Sequence, residues 1–444
     1  MSLTLTFHGA ARTVTGSCIH VQCGTTQILI DCGILQENDA YSKGEEFPFD
    51  PAQIDAVILT HGHLDHTGKV PLLVQAGFKG IIYGHYATCD IAKIIWNDSV
   101  KFLSATGPIY NETAVAETCQ KLFPIAYNIP MQIKDIRFTL RDAGHILGSS
   151  HILLEGDGKR VLFSGDIGPV NTPIIRDPYR KWDCNVDAVV IESTYGNRIH
   201  KNRTQTILEF ADIVQRTIST KGVLLIPAFA IGRTQEILFH LNTLVEEKRI
   251  SPIPVFVDSP MADLVTGIYR RYHDCYDTKT CAKITRGDLP FEFKGLSFAV
   301  TPAQSIAIRE VRPPFIVVAG SGMCNGGRIL GHLTTFAPRA STSIMFVGWQ
   351  GAGTAGRKLI DGAKQIDIEG KTILVNARIE TLNGFSAHAD QSGLLDWARF
   401  IPGPPKLWLV NHGEESQACR LAELLEKELG GKGVAVEMME KIEV

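Results

Sequence analysis

The sequence carries the segment AVILTHGHLDH at Ala56–His66, in which an apolar run passes directly into a cluster of histidines and an aspartate. The run AVILT is typical of a short buried strand. His61, His63, Asp65 and His66 then follow within six residues. Neutral imidazoles and carboxylates are ligands that Zn²⁺ prefers. Such a density of ligand groups in one tight turn is unfavourable unless a cation orders it, so the segment predicts a metal centre at the end of a strand.

Four further candidate ligands lie at predicted strand ends elsewhere in the chain. LIDCG contains Asp31, DAGHILGSSH contains His145, FSGDIG contains Asp166 and VNHGEE contains His412. Each residue alone is a weak signal, because a single histidine such as His145 is more often structural. Their order along the chain and their positions at strand ends together favour one metal centre.

The pattern of predicted elements changes twice along the chain. Short strands dominate up to about residue 197, whereas strands and helices alternate from 198 to 370, as in GVLLIPAFAIGRTQEILFHL. Such alternation is typical of a parallel, doubly wound sheet. The first pattern returns from 371. We therefore expect one domain made of residues 1–197 and 371–444, with a second domain of residues 198–370 inserted into it.

Composition and charge limit the class of protein. The 444 residues are 44% hydrophobic and 20% charged, which is ordinary for a globular protein. The ten cysteines include no CxxC pair, so we expect reduced, mostly buried thiols. We see no apolar run of about 18 residues and no signal peptide at the start, and therefore expect a cytoplasmic protein without a membrane segment.

The distribution of charge favours an anionic partner. Residues 198–371 carry 22 Lys and Arg against 15 Asp and Glu, whereas the whole chain carries 44 against 47. A basic middle segment in an acidic chain suits an anionic substrate. Chance surface composition is the alternative explanation.

The ligand pattern resembles that of the metallo-β-lactamase superfamily: an early Asp, HxHxDH, a later His and then an Asp. The resemblance implies a four-layer αββα sandwich and two zinc ions per chain. It implies that His61, His63 and His145 hold one zinc, that Asp65, His66 and His412 hold the other, and that Asp166 bridges both. Asp31 is implied to orient ligand imidazoles from behind them.

Later motifs resemble the β-CASP family of nucleases within that superfamily. VIESTYGN carries Glu192, GFSAHAD carries His388 and VNHGE carries His412. The similarity extends over essentially the whole chain, including IPAFAIGRTQEIL, VDSPMA and GSGMCNGGR. The histidine in the last motif is typical of the RNA-processing branch. The length resembles compact prokaryotic ribonucleases, and the chain is also similar to the endonuclease subunit of the cleavage and polyadenylation machinery.

This resemblance implies a zinc-dependent ribonuclease that hydrolyses single-stranded RNA with a metal-bridging hydroxide, as an endonuclease in RNA processing or decay. The implied catalytic residues are His388, which protonates the leaving ribose oxygen, Glu192, which orients His388, and Asp65. A 5′ exoribonuclease, a small-molecule metallo-hydrolase of the thioesterase type and a metal-free scaffold are the alternatives. The family often dimerises through its C-terminal region, so a homodimer is also expected.

A glycine-rich segment, GSGMCNGG, follows the predicted strand FIVVA and precedes a helix. Backbone N–H groups in such a loop can approach a phosphate closely, and we expect Ser321, Gly322, Met323 and Gly326 to bind RNA in this way. A tight turn without a ligand is the alternative. Arg233 and Arg357 either contact RNA or pair with carboxylates, and the sequence favours neither.

Overall fold

The computed structural model describes residues 2–35, 46–102, 109–351 and 353–444. These residues fall into two units, Met1–Ile199 with Ala387–Val444, and His200–Ser386. Within the described ranges, no helix is both long and apolar enough to cross a membrane.

The β-strands, numbered in chain order, are β1 (Leu3–Gly9), β2 (Cys18–Cys23), β3 (Thr26–Ile30), β4 (Ala56–Ile58), β5 (Ile81–His85), β6 (Leu122–Ile125), β7 (Pro130–Ile133), β8 (Ile136–Asp142), β9 (Ser150–Gly156), β10 (Lys159–Phe163), β11 (Ala188–Glu192), β12 (Val223–Pro227), β13 (Val255–Asp258), β14 (Leu296–Phe298), β15 (Phe315–Ala319), β16 (Thr342–Phe346), β17 (Gln365–Ile368), β18 (Lys371–Leu374), β19 (Arg378–Thr381), β20 (Leu407–Asn411), β21 (Lys432–Ala435) and β22 (Lys441–Glu443).

The α-helices are α1 (Leu64–Thr67), α2 (Val70–Gln75), α3 (Tyr86–Phe102), α4 (Glu112–Gln120), α5 (Arg203–Ser219), α6 (Arg233–Glu246), α7 (Pro260–Tyr269), α8 (Thr278–Thr285), α9 (Pro302–Ile308), α10 (Ile329–Phe336), α11 (Ala355–Ile360), α12 (Gln391–Ala398) and α13 (Glu415–Leu429).

The first unit contains two seven-stranded sheets, with strand orders β22-β1-β2-β3-β4-β5-β6 and β21-β20-β11-β10-β9-β8-β7. Apolar side chains from both sheets meet in one core, which includes Phe7 and Ile30 from the first sheet and Phe138 and Phe163 from the second. Alternate residues of a strand point to opposite faces, so each sheet also needs cover on its outer face.

Helices cover those outer faces. Trp397 of α12 and Leu421 of α13 pack with Leu162 and Trp408 of the second sheet. Helix α3 packs beside β5 of the first sheet, and its Trp96 is fully buried. The layers are therefore helix, sheet, sheet, helix, which confirms the expected αββα sandwich.

The second unit contains a six-stranded sheet of order β14-β13-β15-β12-β16-β19. Its strand pairs are all parallel. Val223 and Leu225 point to one face of the central strand β12 and Leu224 and Ile226 to the other, and all four are buried. Both faces are thus covered, as in the doubly wound sheet that the alternating pattern predicts.

The second boundary between the units lies at 386/387, whereas the sequence pattern placed it at 370/371. The reason is strand β19, which pairs in parallel with β16 and extends the sheet of the second unit. The hairpin of β17 and β18 spans the expected boundary and belongs to the same unit. A strand in this region was expected, but its partner could not be inferred from its own residues.

Candidate metal centre and active site

Except for His145, which follows the antiparallel strand β8, the candidate ligands come together because they follow parallel strands that are neighbours. Asp31 follows β3 and the HGHLDH segment follows β4, and these two strands pair in parallel. Asp166 follows β10, Glu192 ends β11 and His412 follows β20, and these three strands also pair in parallel. The carboxyl ends of neighbouring parallel strands lie at one edge of a sheet, which is where α/β folds place their sites.

One set of ligand atoms comprises Nε2 of His61, Nδ1 of His63, Nε2 of His145 and a carboxylate oxygen of Asp166. His61 Nε2 lies 3.0 Å from His63 Nδ1, which in turn lies 3.3 Å from His145 Nε2. Oδ2 of Asp166 is 3.4 Å from His61 Nε2 and 3.5 Å from His145 Nε2. All four residues offer a ligand atom within 4.8 Å of the others.

A second set comprises Asp65, His66 and His412. The Nε2 atoms of His66 and His412 lie 2.9 Å apart. Oδ2 of Asp65 is 3.9 Å from the first of these atoms and 3.6 Å from the second. The grouping is the one that the resemblance implies.

Asp166 lies between the two sets and turns one oxygen to each. Its Oδ2 faces His61 and His145, whereas its Oδ1 is 3.5 Å from His66 Nε2 and 3.7 Å from His412 Nε2. Oδ1 is buried and has no hydrogen-bond partner among the described residues. A buried carboxylate oxygen without a partner is unfavourable, and a cation on this side would satisfy it. The residues therefore fit divalent metal ions, and Asp166 faces both ligand sets.

Hydrogen bonds behind the ligands fix the orientation of the imidazoles. His66 Nδ1 donates to Oδ2 of Asp31 at 2.7 Å, and His145 Nδ1 donates to the carbonyl of Ala387 at 2.9 Å. His412 Nδ1 donates to Oγ1 of Thr194 at 3.2 Å. Each bond leaves Nε2 as the nitrogen that faces the cluster, as a metal ligand requires.

Two of these positions have left-handed backbone conformations. Asp31 has φ 61° and His412 has φ 50°. Such values are uncommon outside glycine, although Asp, Asn and His adopt them more readily than other residues. The backbone N–H of His412 donates to Ala10 at 2.6 Å, and the two oxygens of Asp31 accept from the backbone N–H and the hydroxyl of Thr60. The surrounding structure thus holds both residues in place.

The electrostatics of the cluster also fit a cation. Burial alone disfavours a charge on His66, but the carboxylates of Asp166, Asp31 and Asp65 outweigh burial and raise its pKa to about 10. Burial and the neighbouring histidines lower the pKa of His61 well below its usual value. The three carboxylates thus attract positive charge, while His61 stays neutral and keeps a lone pair for a metal.

His388 lies beside the cluster and is held by Glu192. Its Nδ1 lies 3.1 Å from Oε1 of Glu192 and 3.9 Å from Oδ2 of Asp166. Glu192 is buried, and its two oxygens accept from the backbone N–H groups of Ile167 at 2.7 Å and Thr194 at 3.2 Å. Burial opposes charge on His388, but Glu192 and Asp166 outweigh it and raise the pKa to about 9. His388 is therefore protonated at neutral pH in the metal-free protein.

The residues predicted to bind phosphate lie in the second unit. Ser321, Gly322, Met323 and Gly326 form the loop between β15 and α10, at the carboxyl edge of the parallel sheet. The loop is closed by a bond from the Ser321 N–H to the Gly326 carbonyl at 3.0 Å. This bond does not distinguish a phosphate-binding loop from a purely structural turn, because both would contain it.

The two arginines pair with carboxylates. Arg233 Nη1 is 2.5 Å from Oε2 of Glu236, and Arg357 Nε is 2.9 Å from Oδ2 of Asp361. Pairing with carboxylates was one of the two alternatives that the sequence left open for these arginines. The other, a contact with RNA by either arginine, stays a prediction.

Two positioning residues were not anticipated from the sequence, Thr60 and Thr194. Thr60 directly precedes HGHLDH, and its hydroxyl also lies 3.1 Å from Nδ1 of His61. Thr194 lies in the VIESTYGN motif that was singled out for Glu192 alone. Both residues adjoin a ligand motif in the sequence, and this could have identified them. A metal-bound imidazole needs an acceptor for its second nitrogen, and a neighbouring hydroxyl can supply it.

Comparison with known proteins agrees with the fold and the cluster. Residues 12–189 match the family model described as the metallo-beta-lactamase superfamily, and residues 234–359 match the Beta-Casp domain. Residues 372–438 match the model described as a Zn-dependent metallo-hydrolase RNA specificity domain. A crystal structure of a protein of unknown function from Enterococcus faecalis has the same fold, with a TM-score of 0.61, 12% identity and complete coverage of both chains.

Curated relatives are similar over nearly the whole chain. Ribonuclease TTHA0252 of Thermus thermophilus is 36% identical over 417 residues, which cover 94% of each chain. Transcription termination factor FttA of Methanosarcina mazei is 33% identical, over 95% of this chain and 68% of the relative.

The sandwich and its His/Asp cluster define a divalent-metal hydrolase fold of the metallo-β-lactamase superfamily. Within that superfamily, the inserted parallel-sheet domain and the similarity to relatives over the whole chain indicate one particular family. The chain belongs to the β-CASP family of metallo-hydrolases that includes ribonucleases.

Proposed function

We propose that this protein is a ribonuclease that binds two zinc ions per chain and hydrolyses single-stranded RNA internally. The observation that supports the proposal most strongly is the position of Asp166. One of its oxygens faces each ligand set, and the Glu192–His388 pair lies beside it. Two ligand sets that share one carboxylate, with an acid–base pair beside them, suit a two-ion hydrolytic centre.

The ligand roles follow from the two sets. His61, His63 and His145 would hold one ion and Asp65, His66 and His412 the other, with Asp166 shared between them. Divalent ions bound there supply Lewis acidity, which lowers the pKa of water and withdraws charge from phosphate oxygens. Asp31 keeps the Nδ1 proton of His66 away from the centre. The Asp65 side chain is 20% exposed, whereas that of Asp166 is 3% exposed. Asp65 is therefore the carboxylate that can also contact the attacking water, and we assign it that catalytic role.

His388 is assigned the role of general acid. Its Nδ1–H is donated to Glu192, so Nε2 is the nitrogen that can give a proton to substrate. Expulsion of a ribose oxygen from phosphorus requires such a proton, because an alkoxide is a poor leaving group. Glu192 acts through His388 as a positioning residue, since both its oxygens already accept backbone N–H groups.

Several features favour RNA over a small-molecule substrate. The relative from Thermus thermophilus is named a ribonuclease, and residues 372–438 match a model whose description includes RNA specificity. Residues 200–386 carry 22 Lys and Arg against 16 Asp and Glu, which suits a polyanion. A thioesterase would need neither this unit nor the Glu192–His388 pair.

The test is a panel of substrates combined with a metal assay. Purified protein is assayed for zinc content and incubated with labelled single-stranded RNA, DNA of the same sequence and a thioester. We expect two zinc ions per chain and preferential cutting of RNA, which 2′-hydroxyl contacts would explain. Equal or faster cutting of DNA, or hydrolysis of the thioester alone, would contradict the proposal.

Internal cleavage is tested separately with circular RNA, which has no 5′ end. An endonuclease converts it to linear product, whereas a 5′ exoribonuclease leaves it intact. The homodimer and the cytoplasmic location stay predictions.

A further inference from the structure

Two large aromatic rings are exposed at the carboxyl edge of the parallel sheet in the second unit. Phe229 follows strand β12 and is 49% exposed, and Trp349 follows strand β16 and is 45% exposed. Strands β12 and β16 are neighbours in the sheet. Their neighbours in sequence, Ala228 and Gln350, are buried, so the loops are packed while the rings themselves face solvent.

The rings belong to loops that contact the glycine-rich loop after β15. Phe229 lies against Gly322, because a Cβ added to this glycine would come within 3.0 Å of Cδ2 of the ring. Gln350, which follows Trp349, donates from Nε2 to the carbonyl of Gly322 at 3.0 Å. The loops after β12 and β16 therefore both contact the loop after β15, and the exposed ring of Phe229 lies beside the backbone of the glycine loop.

Both rings stand on backbone that is fixed by hydrogen bonds. The carbonyl of Phe229 accepts from the N–H of Thr234 at 3.2 Å and from its hydroxyl at 2.7 Å. The carbonyl of Trp349 accepts from Nε2 of Gln350 at 3.0 Å. A ligand that binds here does not need to order these loops, so little conformational entropy is lost on binding.

The chemistry of this surface matches one class of ligand. Exposed aromatic faces stack on nucleobases, and neighbouring glycine backbone can approach phosphates. A Cβ at Gly326 would meet no atom within 4 Å, so the loop leaves open space for a ligand. The excess of basic residues in this unit is complementary to a polyanion. Stacking reads no sequence, because every base has an aromatic face.

We propose that Phe229 and Trp349 are stacking platforms for bases of single-stranded RNA, with the 320–328 loop beside its phosphates. The proposal rests on the proposed function and adds a binding site with a defined mode of recognition. In this mode the protein contacts the bases and phosphates of RNA but does not discriminate between base sequences.

The experiment compares Phe229→Leu and Trp349→Leu with the conservative variants Phe229→Tyr and Trp349→Phe. Leucine keeps an apolar side chain on the loop but has no flat ring. Phe123→Leu is the matched control, because Phe123 is 48% exposed on the edge strand β6 of the first unit. Each zinc-loaded protein is assayed on single-stranded RNA and on an oligomer of the same length that lacks bases.

We expect each leucine variant to lower kcat/KM on RNA by about 5- to 150-fold, the usual effect of losing one stacked base. The loss on the base-free oligomer should be much smaller, and the aromatic variants and Phe123→Leu should resemble the wild type. Equal losses on both oligomers, or no loss on RNA, would overturn the proposal.

Binding is measured independently of cleavage with RNA that contains 2-aminopurine, whose fluorescence is quenched when it stacks. The wild type should quench it and the leucine variants should quench it less. If the wild type quenches the probe but cuts no RNA, the proposed function fails while the stacking site stands. If the wild type cuts RNA and quenching is identical in all variants, the stacking site fails alone.

Discussion

His66 Nδ1 donates a 2.7 Å hydrogen bond to Oδ2 of Asp31, and both side chains are buried. Because Asp31 has only acceptor atoms, it requires the proton of His66 to be on Nδ1. Nε2 is then the nitrogen that faces His412 and Asp166 and that must lose its proton to bind a metal. The choice of tautomer at this one histidine therefore controls whether the second ligand set can bind a metal.

The first prediction is that Asp31→Asn lowers zinc affinity by about 10- to 100-fold, the usual effect of losing such a partner. An amide NH₂ facing His66 would repel the Nδ1 proton and move it to Nε2. Asparagine tolerates the φ of 61° at this position, so the backbone is retained. Affinity is measured by competition with a chelator, and Asp135→Asn, at a carboxylate that accepts from Thr26 away from the histidines, is the control. Unchanged affinity in Asp31→Asn would contradict the tautomer argument.

The second prediction concerns protons. The raised pKa of His66, about 10, means that its imidazole is doubly protonated at pH 7 in the metal-free protein. Zinc binding must displace the Nε2 proton, so apparent affinity should rise with pH up to the pKa and fall as the solution is acidified. Calorimetry at pH 7 in buffers with different ionisation enthalpies should detect release of at least one proton. No release would show that His66 is already neutral.

The third prediction concerns the shared ligand. Asp166→Ala removes both oxygens that face the two sets, so we expect zinc content below that of the wild type, with loss of RNA cleavage. Metal analysis of the dialysed variant measures this directly. Two zinc ions retained at full occupancy would refute the bridging role, even if activity were lost.

Much of this candidate site was predictable because HGHLDH and the other ligand motifs each follow a strand, and all of these strands except β8 have parallel neighbours that bring their ends together. Thr60, Thr194 and the carbonyl of Ala387 were not predicted, since hydroxyl and carbonyl acceptors are too common to stand out in a sequence. The αββα fold was implied by the resemblance to the metallo-β-lactamase superfamily, and the parallel sheet was predicted from the alternation of strands and helices. Residues 371–386 were expected in the first domain but belong to the second unit. The reason is that strand β19 pairs with β16, which is distant from it in the sequence.

The fourth prediction is that Gly326→Ala weakens RNA binding about fivefold, the scale of one hydrogen bond, while zinc content and stability stay unchanged. An added Cβ meets no protein atom there, so only a ligand would detect it. Gly322→Val is a less specific probe, because the new side chain would displace the ring of Phe229. Gly267→Ala is a control with equally open surroundings in α7. Unchanged RNA affinity in Gly326→Ala would favour a purely structural turn.

The fifth prediction separates chemistry from metal binding. Both ligand sets are complete without His388, so His388→Ala should retain both zinc ions and bind RNA almost normally. Cleavage should fall by about 10²- to 10⁴-fold, the usual effect of losing a general acid. The loss should be much smaller on bis(p-nitrophenyl) phosphate, because nitrophenolate leaves without a proton. Loss of a zinc ion, or equal slowing of both substrates, would exclude the general-acid role.

Glu192→Gln should show the same pattern more mildly, because Glu192 acts on substrate only through its 3.1 Å bond to His388. A glutamine oxygen in place of Oε1 can still accept from Ile167 and His388, but the NH₂ would face the N–H of Thr194, and the side chain carries no charge to stabilise the His388 cation. The double variant should therefore be no slower on RNA than His388→Ala alone, since a positioning residue has no effect once the group it positions is gone. Losses that multiply in the double variant would show that Glu192 contributes to cleavage by a route that does not pass through His388.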